Sequence, residues 1–279
     1  MFVTTEHFAE NIRHLKERYT IVPLDVLLAG VFEGEGMKDH CAITFDDGWE
    51  DNYLHAFPVL ASERVPATVF LSTAYIGTEK WFWFDEVAFF MKNGARFDAL
   101  RSLAGPGAES VVRAVRGKPR RLGDWITDVV LAMKNTDGEL LSAVASEISE
   151  WNRAFTPASK VMLDWKQVVE MKNSGLVGFH SHSHSHKNLD RLSMAEVLED
   201  VQTSLDSLRA HLGQEEPGIF CYPSGRFAPE TTLALKEMGF RYAVTTQRGA
   251  VTPDDPFAVC RVGIHDDVCS KVLNGVWNL

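Results

Sequence analysis

Apolar positions along this chain follow two rhythms in turn. Phe8, Ile12 and Leu15 fall three to four residues apart and predict a first helix. Cys41 to Phe45 is a short apolar segment running through Asp46-Asp47 into Gly48, as a buried strand ending at a functional loop would. Glu50 to Arg64 predicts a helix, and Val65 to Leu71, rich in β-branched and aromatic residues, the next buried strand. Further on, Asp164 with Gln167 marks a helix start and Gly175 its stop. Leu176 to Phe179 reads as a short strand. Ser193 with Glu196 forms a capping box before a helix whose apolar face is Val197, Leu198, Val201, Leu205, Leu208 and Leu212. Gly218 to Tyr222, Tyr242 to Thr245 and Ala258 to Ile264 read as strands, with a helix from Pro229 to Met238 stopped by Gly239.

Strand–helix units repeated in this way predict an α/β fold with a parallel sheet, closed or nearly closed into a barrel. Residues 83–157 have a different texture. Helical patterns such as Ile126, Val129, Val130, Met133 and Leu140, Leu141, Val144, Ile148 are broken by Gly105-Pro106-Gly107, with little that resembles strand. The expected organisation is one domain over residues 1–279 carrying a helical insertion at 83–157. Inserts at the mouth of a scaffold often shape substrate choice.

Composition narrows the partners. The chain has 279 residues, enough for one large core, and is 45% hydrophobic and 24% charged. A formal net charge of −10 argues against sequence-independent nucleic-acid binding, which needs Lys and Arg to neutralise phosphates. The local basic group Arg113, Arg116, Lys118, Arg120 and Arg121 reads as a solvated helix end and loop rather than an anion site. Four dispersed cysteines (Cys41, Cys221, Cys260, Cys269) without a Cys-x-x-Cys pair suit buried free thiols better than thiolate zinc. No apolar run approaches the roughly 18 residues of a membrane span. The first residues lack a secretory signal, so a cytoplasmic location is the expectation for the chain as it stands.

The candidate chemistry follows strand ends, where barrel active sites sit. Asp46 and Asp47 are adjacent, so their side chains point in different directions and can do different work: one can hold a metal while the other stays free as a base. A turn or helix cap is the plainer reading of the same dipeptide. His180, His182, His184 and His186 occupy every second position, and either His180 with His184 or His182 with His186 could join a carboxylate on one ion. Spacing alone does not choose. Phe220 to Gly225 is a strand and turn whose amides could face a pocket. His265 closes the last strand candidate and is suited to protonating a leaving amine. Trp81 to Phe84 could stack on a sugar or serve a core, with Asp85 beside them as a hydroxyl contact.

Taken together, these segments resemble the polysaccharide deacetylase family (the NodB-homology fold, carbohydrate esterase family 4). Thr44-Phe45-Asp46-Asp47-Gly48 is similar to its first motif. Ser181 to Leu189 is similar to the second, and the trailing Leu189 selects His182 and His186 as the pair. Phe220 to Gly225 is similar to the third, His265 lies where the final motif would be, and Pro66 to Phe70 resembles the family's second strand. The resemblance implies a distorted (β/α) barrel with a helical insertion, and a metal-dependent hydrolase removing an N-acyl group, with acetyl expected, from an amino sugar in a glycan or glycan precursor. It implies Asp46 as base, Asp47, His182 and His186 as ligands, His265 as acid and the Tyr222 amide as oxyanion donor. One divalent ion is expected, zinc first and Co2+, Ni2+ or Mn2+ as substitutes. Trp83, Asp85 and Tyr222 are the expected substrate contacts. The chain departs from the pattern in lacking the arginine that opens the third motif and orients the base, in lacking a fourth motif, and in carrying Gly263 where Leu is usual. Two rival readings remain: a formamide or cyclic-amide hydrolase on the same fold, and a catalytically silent carbohydrate-binding protein.

Overall fold

The structure is a computed structural model that describes residues 3–92, 108–117, 121–136, 138–153 and 161–264. Two compact units emerge, one from the residues up to Glu79 and from Lys160 onward, the other from Lys80 to Ser159.

The first unit is built on a parallel sheet of six strands in sequential order: β3 (Ile43–Phe45), β4 (Ala67–Leu71), β5 (Val177–Ser181), β6 (Ile219–Cys221), β7 (Tyr242–Arg248) and β8 (Val259–Arg261). A separate two-stranded pair joins β1 (Thr20–Ile21) to β2 (His40–Cys41). The helices are α1 (Thr5–Lys16), α2 (Leu24–Glu33), α3 (Phe57–Glu63), α8 (Trp165–Asn173), α9 (Met194–Leu212) and α10 (Pro229–Glu237). The sheet curls into half a barrel, the distorted α/β barrel that was expected, and among the described residues β3 and β8 are its edges. All five residues of β4 are buried, as a strand covered on both faces requires. Helix-facing core includes Leu28, Leu60, Val201 and Leu235, none more than 1% exposed.

Local signals set these elements. Both predicted capping boxes form, Asp164 with Gln167 on α8 and Ser193 with Glu196 on α9. Gly213 and Gly239, at φ of 62° and 90°, let the chain leave α9 and α10 in the left-handed region that a Cβ disfavours. Two predicted elements are subdivided. Cys41 to Phe45 is not one strand, because His40–Cys41 pairs with β1 and Ile43–Phe45 with β4, and the chain switches partner at Ala42. Glu50 to Arg64 is not one α-helix: a π-helical turn at Asn52–Ala56 precedes α3. Pro58 in the first turn of α3 has no N–H to donate to the carbonyl four residues back, so the regular ladder cannot run through it.

The second unit is helical: α4 (Trp83–Lys92), α5 (Ala108–Arg116), α6 (Leu122–Lys134) and α7 (Gly138–Arg153). Its own core gathers Val87, Phe90, Val111, Val129, Met133, Val144 and Ile148, the last four of which bear the spacing read from the sequence. Among the described residues, no helix is long and apolar enough to cross a membrane.

Candidate active site

Sheet register places the chemistry. The ends of β3, β4 and β5 are aligned by the pairs Phe45–Val69 and Leu71–Ser181, so the residues that follow each strand emerge at one rim. Those residues are Asp46-Asp47, Ser72-Thr73 and His182. Asp47 takes a left-handed φ of 73° and Gly48 one of 86°, a sharp turn that separates the two aspartates.

Asp47, His182 and His186 converge. His186 Nε2 stands 3.2 Å and His182 Nε2 3.4 Å from Asp47 Oδ1, and this buried oxygen has no hydrogen-bond partner. His182 Nδ1 lies 2.7 Å from the Cys221 carbonyl oxygen, which can only accept, so Nδ1 carries the proton and Nε2 presents a lone pair. Two imidazole nitrogens and a carboxylate oxygen aimed at one point are held together by a shared proton or by a shared cation. The donor set suits a divalent ion of the zinc type, with fewer than four protein ligands leaving room for water or substrate. Burial disfavours charge on His182, yet Cys221, Asp47 and Asp46 raise its pKa well above the ordinary histidine value, so the ion-free site favours a proton on Nε2 that a bound ion would displace. Burial would raise the Asp47 carboxyl, but His186, His182 and the Trp49 indole N–H hold it at about 2.

The other two histidines are used elsewhere. His180 is half-buried on β5, its Nδ1 accepting from the Ile219 amide at 3.4 Å, and desolvation lowers its pKa to about 4. His184 Nδ1 pairs with Thr73 Oγ1 at 2.9 Å. Leu189, which selected the register in the sequence, is 1% exposed and anchors the loop in the core.

Asp46 is held differently. Arg261 Nη1 donates to its Oδ1 at 2.7 Å and Nη2 to its Oδ2 at 2.8 Å, a two-pronged pair, while Nη2 also touches Cys221 Sγ at 3.2 Å. Burial would raise the Asp46 carboxyl; the guanidinium outweighs it, and the pKa lies below the usual value. Asp46, His182 and Cys221 also cluster closely enough to suggest a second metal set. The guanidinium already fills that space, and His182 Nδ1 is committed to a carbonyl, so these three do not form one.

A family model described as polysaccharide deacetylase matches residues 33–243. The chain belongs to the polysaccharide deacetylase family. Among curated relatives, a poly-beta-1,6-N-acetyl-D-glucosamine N-deacetylase of Staphylococcus epidermidis is 30% identical over 121 residues, 40% of this chain and 42% of that protein. That match spans less than half the relative's length. The Staphylococcus aureus (strain MRSA252) protein of the same name is 21% identical over 97% of this chain and 70% of its own. Of solved structures, the Streptococcus pyogenes deacetylase PplD in complex with acetate superposes with a TM-score of 0.63 at 18% identity, covering 98% of this chain and 87% of that one, a likeness of fold. Members of this family are hydrolases of the carbon–nitrogen bond in N-acetyl amino sugars, and their reaction is metal-dependent.

Against the family pattern, the arginine absent from the head of the third motif is replaced in space. Cys221 stands at that strand end, and Arg261 reaches the aspartate from β8 instead. Sequence reading missed Arg261, whose signal was faint: a basic residue at the end of a strand candidate. Tyr222 is a correction. Its amide donates to the Val244 carbonyl at 3.2 Å, so it is committed to the neighbouring strand, and its buried ring stacks on Phe227 with centroids 4.2 Å apart. It is a core residue with neither a free amide nor an accessible side chain for substrate. Trp83 and Asp85 lie in the helical unit at the start of α4, where Trp83 packs against that unit's core. His265 lies outside the described residues.

Proposed function

We propose that this chain removes the acetyl group from N-acetylglucosamine units of a glycan, with zinc held by Asp47, His182 and His186. The observation that carries the reading is the convergence of two imidazole nitrogens and a buried carboxylate oxygen beside an arginine-pinned aspartate. When bound, the ion supplies Lewis-acid polarisation of the acyl carbonyl and acidifies water. Asp46 takes the proton of the water that attacks the carbonyl carbon. Arg261 keeps Asp46 ionised and fixes its plane through both oxygens; Oδ1 also accepts from the Cys221 thiol at 3.6 Å, so Oδ2 retains the further lone pair for that proton. Cleavage of the C–N bond releases acetate and a free amine, and His265 is assigned the proton that the departing nitrogen needs. The name borne by the staphylococcal relatives supports a β-1,6-linked polymer as the substrate class.

The test is to load the protein with zinc, confirm its content, and measure acetate and free amine from β-1,6-linked N-acetylglucosamine oligomers. Equal amounts of acetate and amine are expected. A zinc-loaded protein that releases neither from any N-acetylglucosamine oligomer would overturn the reading.

A further inference from the structure

The ligand loop from His182 to His186 is short, tightly turned and costly. Ser183 and His186 both adopt left-handed φ, 63° and 56°, without being glycine, which costs on the order of 1 kcal/mol or more each. Something must hold it. On one side the residues after β4 do so: the Thr73 amide donates to the Ser183 carbonyl at 3.3 Å, and the Ala74 amide to the His184 carbonyl at 3.0 Å. Inside the loop, Ser183 Oγ accepts from the His186 amide at 3.0 Å, and Ser181 Oγ from the Ser183 amide at 3.1 Å.

The other side is held by α9. Asp200 Oδ2 accepts the His184 amide at 2.8 Å and Oδ1 the Ser185 amide at 3.0 Å. One turn further, the fully buried Ser204 meets Ser181 Oγ at 2.7 Å. Residues four apart lie on one helix face, so Asp200 and Ser204 form a polar ridge beside the apolar Val197, Val201 and Leu205. Both oxygens of one carboxylate are thus spent on consecutive amides midway between the two imidazoles. Charge-assisted bonds of this kind are about twice as strong as neutral ones.

We propose that Asp200 is a positioning residue of the active site, setting the separation of His182 and His186 through the loop backbone without touching ion or substrate. The inference rests on the metal reading above. Without the carboxylate the amides of His184 and Ser185 turn to solvent, the left-handed turns lose their support, and the two imidazoles no longer share one target. Loss of such an outer partner typically weakens metal binding by about 10–100-fold.

The test uses Asp200→Ala, with Asp200→Asn as a milder variant that keeps the shape and one acceptor, and Gln202→Ala on the exposed face of the same helix as control. Zinc affinity by chelator competition and the visible spectrum of the cobalt-substituted protein are read alongside amide hydrogen exchange of the ion-free protein. Asp200→Ala is expected to lose about 10–100-fold in affinity and to shift the cobalt bands. Asp200→Asn should fall between it and the wild type, and Gln202→Ala should match the wild type. Unchanged affinity and cobalt spectrum in Asp200→Ala would overturn the proposal. Should Asp200→Ala not fold, Asp200→Asn decides on the same readouts. Failure of the wild type to bind zinc or cobalt would instead sink the metal reading. Exchange at His184 and Ser185 then judges Asp200 alone: faster exchange in the variant upholds the clamp, and equal exchange overturns it.

Discussion

Arg261 grips both oxygens of Asp46, and the two residues stand 215 positions apart in the chain. The pair joins the last strand of the sheet to the first and sets the ionisation of the proposed base.

Replacing Arg261 by Met should therefore raise the Asp46 pKa. The base works only when ionised, so the acid limb of kcat/KM should move to higher pH, and turnover near neutral pH should fall. Lys at this position should not restore the profile, because an ammonium cannot make the two-pronged contact. A pH–rate series on wild type, Arg261→Met and Arg261→Lys checks this; superimposable acid limbs would remove Arg261 from that role. Stability moves too. The folded pKa is depressed, so the contribution of the pair is complete above the ordinary aspartate range and is lost as pH falls through the folded value. Breaking a buried pair costs roughly 3–5 kcal/mol. With Arg261 16% and Asp46 32% exposed, the lower end of that range is expected.

Asp46→Asn keeps the shape of the side chain and removes the base. Metal content should be unchanged, while turnover drops by about 10²–10⁴-fold, the usual scale for losing a general base. Loss of metal together with activity would make Asp46 a ligand and redraw the division of labour between the two aspartates.

Within the histidine run, alanine at His182 or His186 should abolish metal retention, and alanine at His180 or His184 should leave it in place. Elemental analysis of the four purified variants gives the answer. Retention by His182→Ala with loss from His180→Ala would reverse the assignment.

Gly48 carries the turn after the aspartates at φ of 86°, and a Cβ there would lie 2.7 Å from Ile76 Cδ1 and 2.8 Å from Leu71 Cδ2. Gly48→Ala combines backbone strain with crowding of the core. A loss of about 2–3 kcal/mol in denaturant unfolding is expected, and a loss below about 0.5 kcal/mol would show that the turn relaxes freely.

Much of this could be read from sequence because the deciding interactions are local. Capping boxes join residues three positions apart, whereas the choice between the two histidine pairs came from the resemblance, through the motif's trailing Leu189. The helices at Leu122–Lys134 and Gly138–Arg153 declared themselves through their own periodicity. What escaped was set by strand partners. Nothing near Tyr222 announces that its amide is taken by Val244, and nothing near Asp46 points to Arg261. The break at Ala42 likewise depends on which strand lies alongside, a property of the assembled sheet.

The two edge strands of the half-barrel divide the candidate site between them. Asp47 and the histidines follow the ends of β3 and β5, with His182 oriented by the Cys221 carbonyl of β6. Asp46 is held from β8, whose Arg261 also donates to Thr44 Oγ1 at 3.2 Å on the far edge strand. The proposed ligands and the grip on the proposed base thus come from different strands, and loss of the Arg261 contacts is expected to release Asp46 while leaving Asp47, His182 and His186 in place.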